Sequence, residues 1–129
     1  MPVENERNIR TECGMSEDDR LSPAISAIVE QASARVGMPD ARVIALTMAA
    51  QHAFRKMCAD SGGSGPLLRF ACQEFDDRIE VTLEAPVTSK VAIDAALAEL
   101  RKSVDQATAE PRGENVRLSL VEFTIERRR

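Results

Sequence analysis

Three stretches of the chain place apolar residues three and four positions apart, the spacing of one face of a helix. The spacing predicts helices over about residues 19–36, 39–59 and 90–108. Ser22 and Pro23 suit the start of the first helix, and Gly37 suits its end. The stripes comprise Leu21, Ile25, Ile28, Val29, Ala32 and Val36 in the first helix, Val43, Leu46, Ala50, Phe54 and Met57 in the second, and Ile93, Leu97, Leu100, Val104 and Ala107 in the third.

Other stretches alternate apolar and polar residues, which is typical of half-buried strands. Residues 79–84 alternate cleanly and put Glu80 and Glu84 on the polar face, and residues 67–75 form a second strand before them. Asp76 and Asp77 predict the turn of a hairpin between the two. Residues 9–13 predict a short edge strand. The last strand spans 115–127, and a change of apolar phase near Leu120 predicts a bulge there.

The order strand, helix, helix, strand, strand, helix, strand predicts an α+β two-layer sandwich. Its sheet is mixed or antiparallel, with about four strands, and three helices cover one face. The 129 residues fit one domain. We expect a polar N-terminal segment over 1–18, which contains the edge strand, and a single α+β domain over 19–129.

Composition narrows the function classes. A net charge of −4 opposes binding to phosphate backbones, and four Phe with neither Trp nor Tyr offer little for stacking on bases. The basic cluster from Arg127 to Arg129 is interpreted as a solvated tail.

No signal-like core opens the chain, and no apolar run approaches the roughly 20 residues that span a bilayer. An odd cysteine count without a CxxC pair indicates a reducing, cytoplasmic setting.

The chain carries none of the common catalytic motifs. GxSxG and HExxH do not occur in the sequence. The Gly-rich loop over 61–66 lacks the Lys of a phosphate-binding loop and lies between a helix and a strand, so it is interpreted as a connector. Cys13, Cys58, Cys72 and His52 match no zinc spacing, and a buried inert thiol is the better interpretation of Cys72.

Two basic residues of the second helix, His52 and Lys56, lie opposite its main apolar stripe. Ala45, Ala49 and Ala59 share their side of the helix. One interpretation is an ordinary exposed face. The alternative is a contact surface, because small residues allow another surface or a ligand to approach closely.

Much of the chain, 21–60 followed by 66–87, resembles the anti-sigma-factor serine kinases of the GHKL ATPase superfamily. The segment from Val36 to Ala41 resembles the family's break between its first two helices, and the segment from Leu46 to Lys56 resembles its ATP-site helix. The later strands and third helix follow the same plan. The resemblance implies a histidine-kinase-type ATPase fold in a bacterial regulator. It is moderately specific for fold and weakly specific for function.

The signature residues of the family are absent from the matching positions. His52 stands where the family has the Glu that activates the attacking group, and Lys56 stands where it has the magnesium-binding Asn. The adenine-binding Asp-x-Gly-x-Gly turn matches 84–88, where Glu84 replaces the Asp and no Gly occurs. No Gly lies between Gly65 and Gly113, where the family has its ATP lid and second Gly-rich box.

The resemblance therefore implies a degenerate pseudo-kinase: a non-catalytic regulatory module without metal or cofactor that binds proteins in the cytoplasm. Its remnant ligand or partner cleft would comprise His52, Lys56, Glu84 and Gln51. The expected partner is a sigma factor, an antagonist-like protein or a second copy of the chain, and neither nucleic acid nor a membrane. One alternative is a divergent ATP-binding serine kinase and anti-sigma factor, using ATP and magnesium, in which Lys56 contacts phosphate. Another is a small-molecule sensor with an open cleft near His52.

Overall fold

The computed structural model describes residues 9–15, 22–61, 68–86 and 90–124. They form β1 (Ile9–Met15), α1 (Ser22–Arg35), α2 (Asp40–Ser61), β2 (Leu68–Glu74), β3 (Arg78–Pro86), α3 (Lys90–Leu100), β4 (Gln106–Arg112) and β5 (Asn115–Phe123). The described strands build one antiparallel sheet in the order β1-β2-β3-β5-β4. The three described helices pack on one face of it. The two-layer α+β architecture predicted from the sequence is confirmed.

The core lies between the helices and the sheet and is built from aliphatic side chains and alanines. Alternate residues of β3 point into it, as their spacing predicted. The largest fully buried members are Phe54 of α2 and Phe70 of β2, and both have no exposed surface. Because the core is aliphatic, its stability comes from close packing and buried area more than from aromatic contacts.

A tight corner joins α1 to α2. Gly37 has a φ of 76°, which costs glycine little. Met38 N donates to Ser33 O at 3.0 Å, and Gly37 N donates to Ala34 O at 3.1 Å. These two bonds satisfy carbonyls at the end of α1 in a Schellman motif. The predicted role of Gly37 as the helix terminator is confirmed.

Two hairpins arrange four of the strands. Asp76 and Asp77 connect β2 to β3 as predicted, and Phe75 N donates to Arg78 O at 2.9 Å. Gly113 opens the two-residue turn between β4 and β5 with a φ of 66°. Gly at the first position of such a turn matches the twist of the flanking strands.

The predicted third helix, 90–108, extended too far, and the structure has a strand that the prediction lacked. The helix ends at Leu100, and β4 begins at Gln106. Val104 lies in the intervening turn and Ala107 in the strand, and both side chains are buried. Their positions in the sequence fit the spacing of a helix although neither residue belongs to one. β4 offers the core only alanines, which explains its weak strand signal.

The bulge predicted near Leu120 is wrong. Pairing between β3 and β5 is continuous from Arg78 opposite Phe123 to Pro86 opposite Asn115. The buried positions of β5 continue in one phase through Leu118, Leu120 and Glu122. The core face therefore includes a carboxylate where the apolar pattern indicated a change of face.

The β4 edge of the sheet is protected against pairing with another strand. Arg101 Nε donates to Ala107 O at 2.9 Å, which occupies an edge carbonyl. Pro111 lacks the N–H that a further strand would use. The opposite edge is β1, which pairs with β2 and contains the segment 9–13 that the sequence indicated as an edge strand.

Some predictions fall outside the described residues. They concern the Gly-rich loop after Ser61, the residues around Val87, the boundary near residue 18 and the tail from Arg127 to Arg129. The side chains of Cys13 and Cys58 are also outside. Among the described residues, no helix combines the length and apolarity needed to cross a membrane.

Candidate functional site

The outward side of α2 carries a ridge of four residues spaced four apart, Ile44, Met48, His52 and Lys56, here called the α2 ridge. Such i, i+4 rows form the ridges by which helices pack against other surfaces. Ile44 is 58% exposed and Met48 is 62% exposed, the two large apolar side chains that stand out among the described residues. The ridge therefore combines exposed apolar surface with two basic groups.

His52 is partly buried. Its Nε2 has no solvent contact and no hydrogen-bond partner among the described residues. A buried polar atom without a partner costs roughly 1–3 kcal/mol. Ala49, on the same flank of α2, is 4% exposed, whereas Lys56 is exposed. The structure thus places His52 and Lys56 together on one helix, one inaccessible at Nε2 and the other open to solvent.

Gln51 faces a different neighbour. Its Nε2 donates to Ser26 Oγ of α1, so the side chain links the two antiparallel helices. This bond directs Gln51 towards α1 and away from the flank of Lys56. Its role in the described structure is to fix the α1–α2 packing.

Glu84 lies on the sheet face opposite the helices. β3 alternates buried and half-buried positions, and Glu84 is in the half-buried set. Asn115 Nδ2 donates to it at 3.2 Å and Arg117 Nε at 3.4 Å. The hydrogen bond from Asn115, followed by that from Arg117, lowers the pKa of Glu84 below its usual range. The structure therefore does not bring Glu84 together with His52, Lys56 and Gln51 in one cleft.

A groove of about 250 Å³ lies between α3 and the β4–β5 hairpin. Its walls are mainly apolar, and none of the four predicted cleft residues lines it. The lining residues are Ile93, Asp94, Leu97, Ala109, Glu110, Pro111 and Val116.

Sequence reasoning missed a row of buried charges at the hairpin end of the core face. Glu74 of β2 and Glu122 of β5 flank Ile79 of β3 in register, and both carboxylates are almost fully buried. Arg35, at the end of α1, bonds Glu74 through two guanidinium nitrogens, with Nε donating at 2.9 Å to Oε2. A buried carboxylate needs such a partner, because leaving it unpaired is costly.

Arg42, in the first turn of α2, serves the second carboxylate. Its Nη1 donates to Glu122 at 3.0 Å, to Asp105 at 3.1 Å and to the carbonyl of Phe123 at 3.2 Å. Asp105 N donates to Glu122 at 2.9 Å. Burial nevertheless raises the pKa of Glu122, and this effect exceeds the lowering by its hydrogen bonds. The cluster of Arg42, Asp105 and Glu122 ties α2, the α3–β4 turn and β5 together.

Cys72 is buried on the core face of β2, as predicted. Burial, and then the nearby Glu74 carboxylate, raises the pKa of its thiol to about 12. A thiol with such a pKa carries almost no thiolate at neutral pH and is a poor nucleophile. Among the described side chains, no three His, Cys, Asp or Glu groups converge as metal ligands.

Comparison with known proteins finds no family model and no curated protein that matches the sequence. The resemblance to anti-sigma-factor kinases stays a prediction.

Proposed function

We propose that the protein is a non-catalytic regulatory module that binds another protein through the α2 ridge. In this proposal the chain retains the scaffold of an anti-sigma-factor kinase and acts in the cytoplasm on a sigma factor or an antagonist-like protein. The observation that carries the proposal is the exposed pair Ile44 and Met48, followed on the same ridge by His52 and Lys56.

The ridge has the composition of a protein contact. Contiguous exposed apolar surface rimmed by polar residues marks sites where proteins interact. Met48 is flexible and polarisable, so it adapts to a partner's surface. The exposed ammonium group of Lys56 favours a partner that offers a carboxylate beside an apolar patch. An amphipathic helix or groove of another protein would meet these requirements.

The chemistry at the matching kinase positions supports a binding role over catalysis. Lys56 is exposed where the resemblance puts a magnesium ligand, and a protonated Lys repels a divalent cation. Glu84, which would replace the adenine-binding Asp, is on the other face of the sheet and bonded to Asn115 and Arg117. Both positions would need different geometry for the family's ATP chemistry.

Titration calorimetry with ATP and ADP, with and without magnesium, tests the non-catalytic part. We expect no heat and no thermal shift at millimolar nucleotide. Magnesium-dependent binding that is lost in Lys56→Ala would overturn this part and favour the divergent ATP-binding kinase.

The binding part is tested with purified sigma factors and antagonist-like proteins. We expect one of them to bind the full chain and to lose at least tenfold in affinity, about 1.4 kcal/mol, against Met48→Glu. Lys102→Glu is the matched control, because Lys102 is exposed on the turn after α3 and far along the chain from the ridge. A partner that binds Met48→Glu as tightly as the unaltered chain would contradict the ridge assignment.

A further inference from the structure

The sheet face opposite the helices is uncovered by any described element, and its side chains form rows across the strands. One row contains Arg69 of β2, Glu84 of β3, Arg117 of β5 and Glu110 of β4, each opposite the next in register. The charges alternate along this row. We call these four residues the charge row.

The two ends of the charge row differ from its centre. Glu84 and Arg117, in the centre, form an ion pair at 3.4 Å. Arg69 and Glu110, at the ends, are both exposed and have no ion pair among the described side chains. Strands are about 4.8 Å apart, so the two ends are roughly 14 Å from each other and cannot pair within one molecule.

We propose that this face is the interface of a symmetric dimer whose twofold axis runs parallel to the strands, midway between β3 and β5. Rotation about this axis brings β2 opposite the partner's β4 and β3 opposite the partner's β5, and it keeps each row at the same height along the strands. Arg69 then faces the partner's Glu110, and Glu84 faces the partner's Arg117. An interface of this kind is isologous, so both end contacts form twice.

The alternation of charge selects this axis over the other simple choice. A twofold axis in the plane of the interface but across the strands, along the charge row, would place each residue opposite its own copy. Arg69 would then face the partner's Arg69, and Glu110 the partner's Glu110. Like charges juxtaposed across an interface cost several kcal/mol.

The neighbouring row allows the two faces to approach. It consists of Ala71, Thr82, Ser119 and Thr108 in the same four strands, all with small side chains. Sheets that pack face to face lie about 10 Å apart, a distance that small side chains permit. Val121 and Phe123, both half-buried on this face, add apolar surface near the β2–β3 hairpin.

The size of the face predicts the strength of the dimer. Four strands at about 4.8 Å, over four rows of about 7 Å, give a flat area of roughly 500 Å² per copy. A standard stable interface buries about 800 Å² per partner. The dimer therefore belongs to the size class of weak, transient associations. This proposal is independent of the proposed function, because it uses the opposite face of the protein from the α2 ridge.

Sedimentation equilibrium of the full chain, from micromolar to millimolar protein, measures the association. We expect the unaltered chain to form dimers that dissociate in high salt, because exposed ion pairs are screened. Arg69→Glu and Glu110→Arg should each weaken the dimer at least tenfold, about 1.4 kcal/mol. The double variant restores opposite charges at both end contacts, with the signs exchanged, so it should dimerise more tightly than either single variant.

Arg55→Glu is the control, because Arg55 is exposed on α2 in the helical layer. It should leave the dimer unchanged, and circular dichroism should show that all four variants keep the fold. A chain that stays monomeric to millimolar concentration overturns the proposal. A dimer that neither single variant weakens, or that the double variant fails to restore, also overturns it, since it would use another surface.

Discussion

The two ends of α2 use basic residues in opposite ways. Near the start of the helix, Arg42 donates to Glu122, Asp105 and a backbone carbonyl. Towards its end, Lys56 is exposed and His52 Nε2 has no partner among the described residues. One end uses its charge to hold the domain together, whereas at the other end the Lys56 ammonium group is open to solvent.

The two ends of α2 therefore separate charges that stabilise the fold from charges that are free of it. A charge enclosed by partners contributes to stability, and its removal leaves those partners unsatisfied. An exposed charge contributes little to stability, so a substitution there tests the proposed contact with another protein more than it tests the fold. Substitutions at the two ends should therefore separate cleanly into effects on folding and effects on binding.

The largest expected effect comes from the partnered end. Arg42→Ala should lower the free energy of unfolding by about 3 kcal/mol, because it leaves the buried carboxylate of Glu122 without its cation. Urea unfolding measures the loss. Arg55→Ala, an exposed position on the same helix, should change stability by no more than about 0.5 kcal/mol. Equal losses in the two variants would remove the distinction between enclosed and exposed charge.

The next effect concerns pH at the same cluster. Because folding raises the pKa of Glu122, the folded state holds that proton more tightly than the unfolded chain. The contribution of Glu122 to stability is then highest below the unfolded pKa of about 4.3 and falls as pH rises through the folded value, by about 1.4 kcal/mol for each unit of the shift.

Glu122→Gln lacks this titration. Urea unfolding of both proteins from about pH 4 to pH 8 should show the unaltered chain losing stability relative to the variant as pH rises. A stability difference that stays constant over this range, or that changes in the opposite direction, would mean that Arg42 dominates the environment of the carboxyl group.

His52 provides a smaller effect of opposite sign. His52→Leu should raise the free energy of unfolding by about 1 kcal/mol, because it removes a buried nitrogen that has no partner among the described residues. His52→Gln keeps a polar side chain at this site and should gain nothing. Thermal unfolding of both variants checks the expectation, and a destabilised His52→Leu would show that Nε2 has a stabilising partner.

Lys56 should have the smallest effect on folding. Lys56→Ala should change the free energy of unfolding by no more than about 0.5 kcal/mol while weakening the protein partner's binding. Urea unfolding and partner titration on the same preparation separate the two effects. A large loss of stability would mean that Lys56, like Arg42, stabilises the fold, and the two ends of α2 would then not differ in this respect.

Most of the fold could be predicted from periodicity, and the errors share a physical cause. The third helix was extended because Val104 and Ala107, buried from a turn and a strand, kept the spacing of a helix. The bulge was predicted because the apolar phase changes near Leu120, whereas the structure continues the buried phase with Glu122. Its burial depends on Arg42, 80 positions away along the chain, and a local pattern cannot reveal such a partner.

The candidate site shows what each line of sequence reasoning contributed. The alternation of β3 already put Glu84 on the polar face of the strand, and that is where the structure has it. The resemblance to the kinases moved it to a cleft with His52, which the structure does not form. The exposed pair Ile44 and Met48 was missed. The spacing of four that joins it to His52 and Lys56 is visible in the sequence, whereas the exposure of the pair is visible only in the structure.

The α1–α2 corner also constrains how this sequence can change over generations. Arg35 and Arg42 lie on either side of the corner. Arg35 forms an ion pair with Glu74 and Arg42 with Glu122, the two buried carboxylates that flank Ile79. A substitution that removes one member of a pair leaves the other charge buried without a partner. The protein is then destabilised until the second position changes as well. In descendants of this chain, positions 42 and 122 should therefore be inherited as a unit, either both charged or both replaced by apolar residues of matching volume.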